Sequence, residues 1–212
     1  MHTTEDPQDT ILILGIGNLL WADEGFGVRC VEALGASWCL PESVTLMDGG
    51  TQGMYLLPYV GAAQRLIVFD AIDYGLAPGS LRVIEGDEVP RFMGAKKMSL
   101  HQTGFQEVLA SADLLGRLPR EMVLIGVQPA ELEDFGGSLR PEVLARVPEA
   151  IEIAIARLRQ WGVAVEPSDG GGTRLNDDAL ARERYEAQRP DADAACRVGD
   201  ARVLAAGDGR CV

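Results

Sequence analysis

The sequence lacks features that would place it in several common functional classes. No apolar run reaches the roughly 18 residues that a membrane-spanning helix needs. Lys and Arg number 19 against 32 Asp and Glu, which gives a formal net charge of -13. This balance argues against a nucleic-acid interface, which needs a basic patch, and against adsorption to an anionic membrane. The acidic charge favours solubility, or alternatively steers a basic or metal-bearing partner.

Cysteine and histidine are also scarce. The four cysteines, Cys30, Cys39, Cys196 and Cys211, form no CxxC pair, so neither a zinc knuckle nor a redox motif is indicated. The polar, acidic N-terminus lacks the basic start of a secretory signal. We therefore expect a cytoplasmic protein with free thiols. Nothing in the pattern requires an oligomer, and we expect a monomer.

Five segments have the composition of strands, and helical segments separate most of them. The strands are predicted at 10–15, 44–48, 66–70, 80–85 and 122–127. Helices are predicted from Asp23 to about Leu34, near 54–59, at 104–115 after a Thr103 cap, and from Pro141 to Leu158, with a loop at 89–100. This alternation predicts a parallel, doubly wound sheet. The alternating segment 80–85 is typical of an antiparallel edge strand.

Composition predicts one domain with a tail at each end. Residues 10–165 carry the strands and helices, and residues 1–9 form a polar N-terminal tail that we expect to be disordered. Residues 166–212 contain ten acidic and seven basic residues but few large apolar side chains. We expect this C-terminal tail to be poorly ordered, with fragments of helix near 178–187.

A glycine-rich loop follows the first strand, with the sequence GIGNLL at 15–20. A dinucleotide-binding loop would carry a third glycine where Leu20 stands, and Asp23 and Glu24 would repel a pyrophosphate at the following helix. A nucleotide site is therefore disfavoured. The two glycines are explained by a tight turn, and Asp23 by helix capping. Glu is a poorer cap, so Glu24 is available for a site.

Four residues are candidates for a site: three follow or end predicted strands, and one precedes a predicted helix. Ligands of doubly wound sheets bind outside the carboxyl ends of the strands, where the strand order reverses. Glu24 follows the first strand, Asp70 ends the third, and His101 lies just before a helix. Asp48 ends the second strand and is a weaker candidate. A carboxylate directly after four apolar residues, as at Asp70, is costly unless it has a partner.

Two carboxylates and one imidazole form a donor set that suits nickel, zinc, manganese or iron, with open positions for water or a partner. A purely structural role for the lone His101 is the alternative. No Gly-x-Ser-x-Gly elbow is present for a serine nucleophile. Asp48 and Asp70 could also serve as a pair of carboxylates that shares a proton.

Taken together and in order, these motifs resemble the hydrogenase maturation endopeptidases over about 11–165. The matching segments are GIGNLL at 15–20, DEGFGV at 23–28, DGGT at 48–51, DA at 70–71, SLHQ at 99–102 and GVQP at 126–129, with Glu131 and Glu133.

The resemblance implies a three-layer α/β fold, with a five-stranded, mostly parallel twisted sheet between helices. It implies an endopeptidase of aspartic type that removes a C-terminal extension from the large subunit of a nickel–iron hydrogenase after nickel insertion. The family's metal-contacting residues fall on Glu24, Asp70 and His101. Nickel would arrive on the precursor rather than be held permanently. Two mechanisms then remain open: the nickel acts as a Lewis acid, or Asp70 or Asp48 acts as general base.

Two other functions would use the same residues. A non-enzymatic nickel-binding assembly chaperone would bind nickel stoichiometrically and leave its partner at full length. A zinc-dependent hydrolase for small peptides would retain zinc tightly and lose activity with a chelator.

Overall fold

A computed structural model describes residues 9–94, 100–169, 172–173, 175–177 and 180–187, with the backbone alone for 92–94 and 100–103. The expectations for residues 1–8 and 188–212 lie outside these ranges. Across the ranges that are described, no helix combines the length and hydropathy that a membrane span requires. Of the cysteines in them, Cys30 is buried and Cys39 exposed, and both are free.

Two sheets are formed by the strands of the described residues. The strands are β1 (Ile11–Ile16), β2 (Trp38–Cys39), β3 (Val44–Gly50), β4 (Arg65–Ala71), β5 (Leu81–Glu85), β6 (Glu121–Val127) and β7 (Glu166–Pro167). The main sheet has the order β3-β1-β4-β6-β5, and β2 pairs with β7 separately. Only β5 of the main sheet is antiparallel to its neighbour, β6, which confirms the predicted edge strand.

Helices cover both faces of the main sheet. They are α1 (Phe26–Ser37), α2 (Leu57–Val60), α3 (Glu88–Gly94), α4 (Leu100–Leu114), α5 (Pro141–Leu144), α6 (Val147–Gln160) and α7 (Arg182–Ala187), with 3-10 turns at Ala22–Gly25 and Gly53–Leu56.

The side chains of β1 alternate between two hydrophobic cores. Ile11 and Ile13 pack in one core with residues of α1 and α6. Leu12 and Leu14 pack in the other with residues of α2 and α4. Successive side chains of a strand point to opposite faces, and both faces here are buried. The predicted three-layer fold is therefore confirmed.

Helix boundaries differ from the prediction in three places. Residues 88–94 form α3 where a loop was expected; Pro90 is in the first turn, where proline needs no helical N–H partner. Helix α4 begins at Leu100 rather than at a Thr103 cap. The helix expected from Pro141 is divided at 145–146, and the second part begins at Val147 with Pro148 in its first turn.

Part of the segment placed outside the domain by composition contacts that domain. Strand β7 pairs with β2 through Cys39 and Glu166, and Leu175 packs against the core that contains α1 and α6. Helix α7 lies within the 178–187 stretch where helix was expected. The boundary at 165 remains a prediction, but the described residues beyond it form strand, core and helix contacts.

Candidate active site

Asp48 and Asp70 lie on either side of the carboxyl end of β1. In the parallel register, Gly15 of β1 is opposite Asp48 of β3 on one side and Phe69 of β4 on the other. Asp70 is the next residue of β4. The fold therefore brings both carboxylates to the same edge of the sheet, where a doubly wound fold binds its ligands.

Glycines allow α1 to begin directly above this crevice. A Cβ on Gly27 would collide with the carbonyl oxygens of Ile16 in β1 and Phe69 in β4. Gly17 has a φ of 137°, and a Cβ there would collide with the carbonyl oxygen of Glu24. The predicted tight turn is thus confirmed, and its effect is to place Glu24 over the ends of β1 and β4.

Glu24 is half-buried in the 3-10 turn Ala22–Gly25. Burial raises its pKa to about 7, because desolvation disfavours the charged carboxylate. Near neutral pH, Glu24 therefore exists as a mixture of acid and carboxylate. The carboxylate form is the one that can ligate a metal.

Asp70 is fully buried at the carboxyl end of β4. Its register partner on β6 is Gly126, and a side chain at 126 would collide with the hydroxyl of Tyr74. Burial, and then the charge of Asp70, raise the pKa of Tyr74 well above its usual range. Tyr74 is thus a neighbour of Asp70 that the sequence analysis missed, since nothing in a loop tyrosine four residues downstream signals this contact.

Gln128 holds the loop that carries Tyr74. Its side-chain oxygen accepts hydrogen bonds from the backbone N–H groups of Tyr74 at 2.7 Å and Leu76 at 3.1 Å. Its amide nitrogen donates to Asp73 Oδ1 at 3.1 Å. Gln128 belongs to the GVQP segment of the resemblance, and its observed role is to fix the loop after Asp70.

Asp48 is half-buried, and a distant part of the chain contacts it. Asn176 Nδ2 donates a hydrogen bond to Asp48 Oδ2 at 2.7 Å. Burial raises the pKa of Asp48; Glu32 adds to this, while Asn176, the Gly50 backbone and Arg29 oppose it. The contact with Asn176 could not be predicted from local patterns, because 128 residues separate the two positions.

Asp23 has a different role from the predicted helix cap. The N-cap of α1 is Gly25, without a side-chain cap bond. The buried Asp23 carboxylate instead accepts backbone N–H groups from Ala130 at 2.8 Å, Glu131 at 2.9 Å and Arg140 at 2.7 Å. It therefore ties the 130–140 loop to the turn that carries Glu24.

His101 is the second residue of α4, and its side chain lies outside the described set. One turn later, Gly104 lies against Gly53, which follows the carboxyl end of β3. The backbone thus brings the start of α4 to the edge that carries Asp48. Among the residues whose side chains are described, no group of three His, Cys, Asp or Glu could hold a metal. The set Glu24, Asp70 and His101 therefore remains a prediction.

Glu24, Asp48 and Asp70 form an acidic site at the switch point of a doubly wound sheet. The protein therefore belongs to a class whose site suits acid–base or metal-assisted chemistry. Residues 28–157 match the family model described as HycI, hydrogenase maturation protease. This match spans more than half of the chain, which belongs to the hydrogenase maturation protease family. The resemblance is confirmed, and the chain is an endopeptidase.

Individual relatives agree with this assignment. The chain is 62% identical over 195 residues to the hydrogenase expression/formation protein HupM of Azotobacter chroococcum, covering 92% of this chain and 93% of that one. It is 57% identical to HupD of Rhodobacter capsulatus over 92% of this chain and 93% of that one. The solved structure of the hydrogenase maturating endopeptidase HybD from Escherichia coli has a TM-score of 0.71 and 41% identity, covering 74% of this chain and 97% of its own.

The similarity to HupM extends further than the sequence analysis placed it. An aligned stretch of 195 residues exceeds the 165 that precede Glu166. The match to HupM therefore includes part of the C-terminal segment, whereas the family model ends at residue 157. HybD, by contrast, leaves about a quarter of this chain without a counterpart.

Proposed function

We propose that this endopeptidase removes a C-terminal extension from the precursor of a nickel–iron hydrogenase large subunit after nickel has been inserted. The observation that carries the proposal is the placement of Glu24, Asp48 and Asp70 around the end of β1, in a chain whose relatives are hydrogenase formation proteins. We place the reaction in the cytoplasm, where the precursor is made, and expect the enzyme to act as a monomer.

Nickel belongs to the substrate in this proposal. Glu24, Asp70 and His101 complete the coordination of a nickel ion that the precursor already holds, and they do not retain a metal of their own. Carboxylate and imidazole donors fit a borderline divalent ion. A precursor without nickel lacks this anchor, and a difference of about 3 kcal/mol in binding would give roughly 100-fold discrimination.

Peptide-bond cleavage also needs an activated water and a polarised carbonyl. Asp70 or Asp48 acts as the general base that takes a proton from the water, which is the basis for assigning the enzyme to the aspartic type. The substrate's nickel supplies Lewis-acid polarisation of the carbonyl. Asp70 is itself one of the proposed metal-contacting residues and is fully buried, whereas the half-buried Asp48 lies across β1 from it.

The test is incubation of the purified chain with nickel-loaded and nickel-free precursor, followed by mass measurement of the intact products. We expect a C-terminal peptide to leave the nickel-loaded precursor alone. Glu24→Ala and His101→Ala should each abolish this change. Full processing by both variants would contradict the metal-contacting set, and nickel retention with an unshortened partner would indicate an assembly chaperone.

A further inference from the structure

The described residues after β6 and α6 return across α1 to the candidate active site. Beyond the β2–β7 pair, the Ser168 N–H donates to the Ser37 carbonyl at 2.8 Å. Gly172 lies so close to the end of α1 that a Cβ would collide with the carbonyl oxygens of Gly35 and Ala36. The backbone at 172 is therefore seated directly on the helix, in a position that only glycine permits.

Asn176 then lies between two carboxylates. Its Nδ2 donates to Asp48 Oδ2 at 2.7 Å and to Glu32 Oε1 at 2.9 Å. A side-chain amide has two N–H donors on one nitrogen, and this geometry uses both on acceptors. An aspartate at 176 would instead put a third negative charge beside the other two.

Arg29 fixes Glu32 and the segment that follows Asn176. Its Nη1 donates to Glu32 Oε2 at 2.7 Å and to the Leu180 carbonyl at 2.7 Å. The guanidinium is buried and lies 5.9 Å from the ring centroid of Tyr185. The positive charge of Arg29 offsets the negative charge of Glu32. A continuous series of contacts therefore runs from Leu180 through Arg29, Glu32 and Asn176 to Asp48.

We infer that Asn176 is a positioning residue for the proteolytic reaction, holding the Asp48 carboxylate in one orientation at the site edge. The inference rests on the proposed function and adds a residue of the C-terminal segment to the candidate active site. A charge-assisted hydrogen bond is short and directional, as the one from Asn176 to Asp48 is. The similarity to HupM includes part of this segment, whereas about a quarter of the chain has no counterpart in HybD.

The test compares three full-length variants in processing of nickel-loaded precursor: Asn176→Ala, Asn176→Asp and Glu186→Ala. Glu186 is the matched control, because it anchors the same segment by accepting a hydrogen bond from Ser138 Oγ at 2.6 Å and makes no contact of the kind that Asn176 makes with Asp48. For each variant, kcat, KM, the pH dependence of kcat and the thermal unfolding midpoint are measured.

We expect Asn176→Ala to lower kcat about tenfold, the effect of losing one charge-assisted hydrogen bond, with KM within about twofold of wild type. The acidic limb of the kcat profile should move to higher pH, because the hydrogen bond from Asn176 lowers the pKa of Asp48. Asn176→Asp should show a larger loss and a larger displacement of that limb, because the new carboxylate adds a negative charge beside Asp48 and Glu32. Glu186→Ala should keep the kcat and pH profile of wild type.

Two results would overturn the inference while leaving the proposed function intact. One is a wild-type kcat and pH profile for Asn176→Ala. The other is an equal loss of kcat in Glu186→Ala, which would assign the effect to docking of the segment rather than to the amide. A wild-type chain that leaves the nickel-loaded precursor unshortened would instead overturn the proposed function, and the role of Asn176 with it.

Discussion

Asp70 and Asp48 lie on either side of β1, yet they are held by different parts of the molecule. Asp70 is fully buried on β4, in the interior of the sheet, beside Gly126 and Tyr74. Asp48 is half-buried on the edge strand β3 and receives a hydrogen bond from Asn176, near the end of the described chain. The surroundings of Asp70 are therefore set by the interior of the sheet, whereas Asp48 also depends on a hydrogen bond from a later segment of the chain.

This difference indicates which features of the site depend on the shared fold. Asp70 needs the strand order and close glycine packing of the domain, which HybD matches with 97% of its chain. The partner of Asp48 comes from a segment beyond β7. We therefore expect substitutions around Asp70 to remove activity and substitutions around Asp48 to adjust it.

Asp70→Asn should have the largest effect. It keeps the shape of the side chain but removes the charge that we assign to metal contact and to proton transfer, so kcat/KM for nickel-loaded precursor should fall by roughly 1,000-fold. Single-turnover processing assays measure this, and thermal unfolding checks that the variant is folded. A smaller loss than that of Asp48→Asn would reverse the comparison of the two carboxylates.

Asp23→Ala should have the next largest effect, on stability rather than on chemistry. Three backbone N–H groups lose their acceptor, so the free energy of unfolding should fall by about 3 kcal/mol. For a protein of this size the midpoint should fall by roughly 6–12 °C. Asp23→Asn retains one oxygen acceptor and is the matched control, with a smaller expected fall. An unchanged unfolding midpoint in Asp23→Ala would contradict the claim that Asp23 holds the 130–140 loop to the turn that carries Glu24.

Asp48→Asn should lower kcat by roughly 10- to 100-fold, less than Asp70→Asn does, because we assign both metal contact and proton transfer to Asp70 but only proton transfer to Asp48. Combining it with Asn176→Ala should add little further loss, since Asn176 acts through Asp48 and coupled residues are not additive. A double variant whose losses multiply would show that Asn176 acts on something other than Asp48.

Glu24→Gln should have the smallest effect on stability, and in the favourable direction. The folded-state pKa of Glu24, about 7, lies above its ordinary 4.5, so the cost of its buried charge is absent below about pH 4.5 and develops as pH rises through 7. Glutamine avoids this cost. After a discount for partial solvent exposure, the gain at pH 8 should be about 1 kcal/mol, or roughly 2–4 °C.

Unfolding midpoints of Glu24→Gln and wild type at pH 4.5 and pH 8 measure this gain, which should disappear at the lower pH. Glu107→Gln, on the exposed face of α4, is the control and should show no such pH-dependent gain. An equal gain at both pH values would exclude the buried charge of Glu24 as its cause.

The sequence predicted the fold and the strand-borne carboxylates because both follow local patterns. Apolar runs ending in Gly15, Asp48 and Asp70 identify buried parallel strands and their carboxyl ends. Glycine spacing predicted the tight turn before Glu24. The antiparallel edge strand followed from alternation after a turn signal.

The remaining features depend on contacts between positions far apart in the chain. Asp is a residue type that commonly caps helices, but the carboxylate of Asp23 accepts hydrogen bonds from backbone N–H groups more than 100 residues away. Tyr74 approaches Asp70 because Gly126 on the neighbouring strand leaves room for its hydroxyl. Asn176 stands in a polar segment that composition marks as poorly packed. No local period encodes any of these three contacts.

The hydrogen bond between Asn176 and Asp48 also has a consequence for synthesis and inheritance. It joins residues 128 positions apart, and closure of so long a loop is entropically costly. Asp48 is translated early and Asn176 late, so every strand of the main sheet has been synthesised before this contact can form. A premature stop codon between β7 and Asn176 would leave the codons of every strand of that sheet intact but delete the contact, so nonsense mutations in this short stretch would remove the hydrogen bond to Asp48 and spare the residues around Asp70.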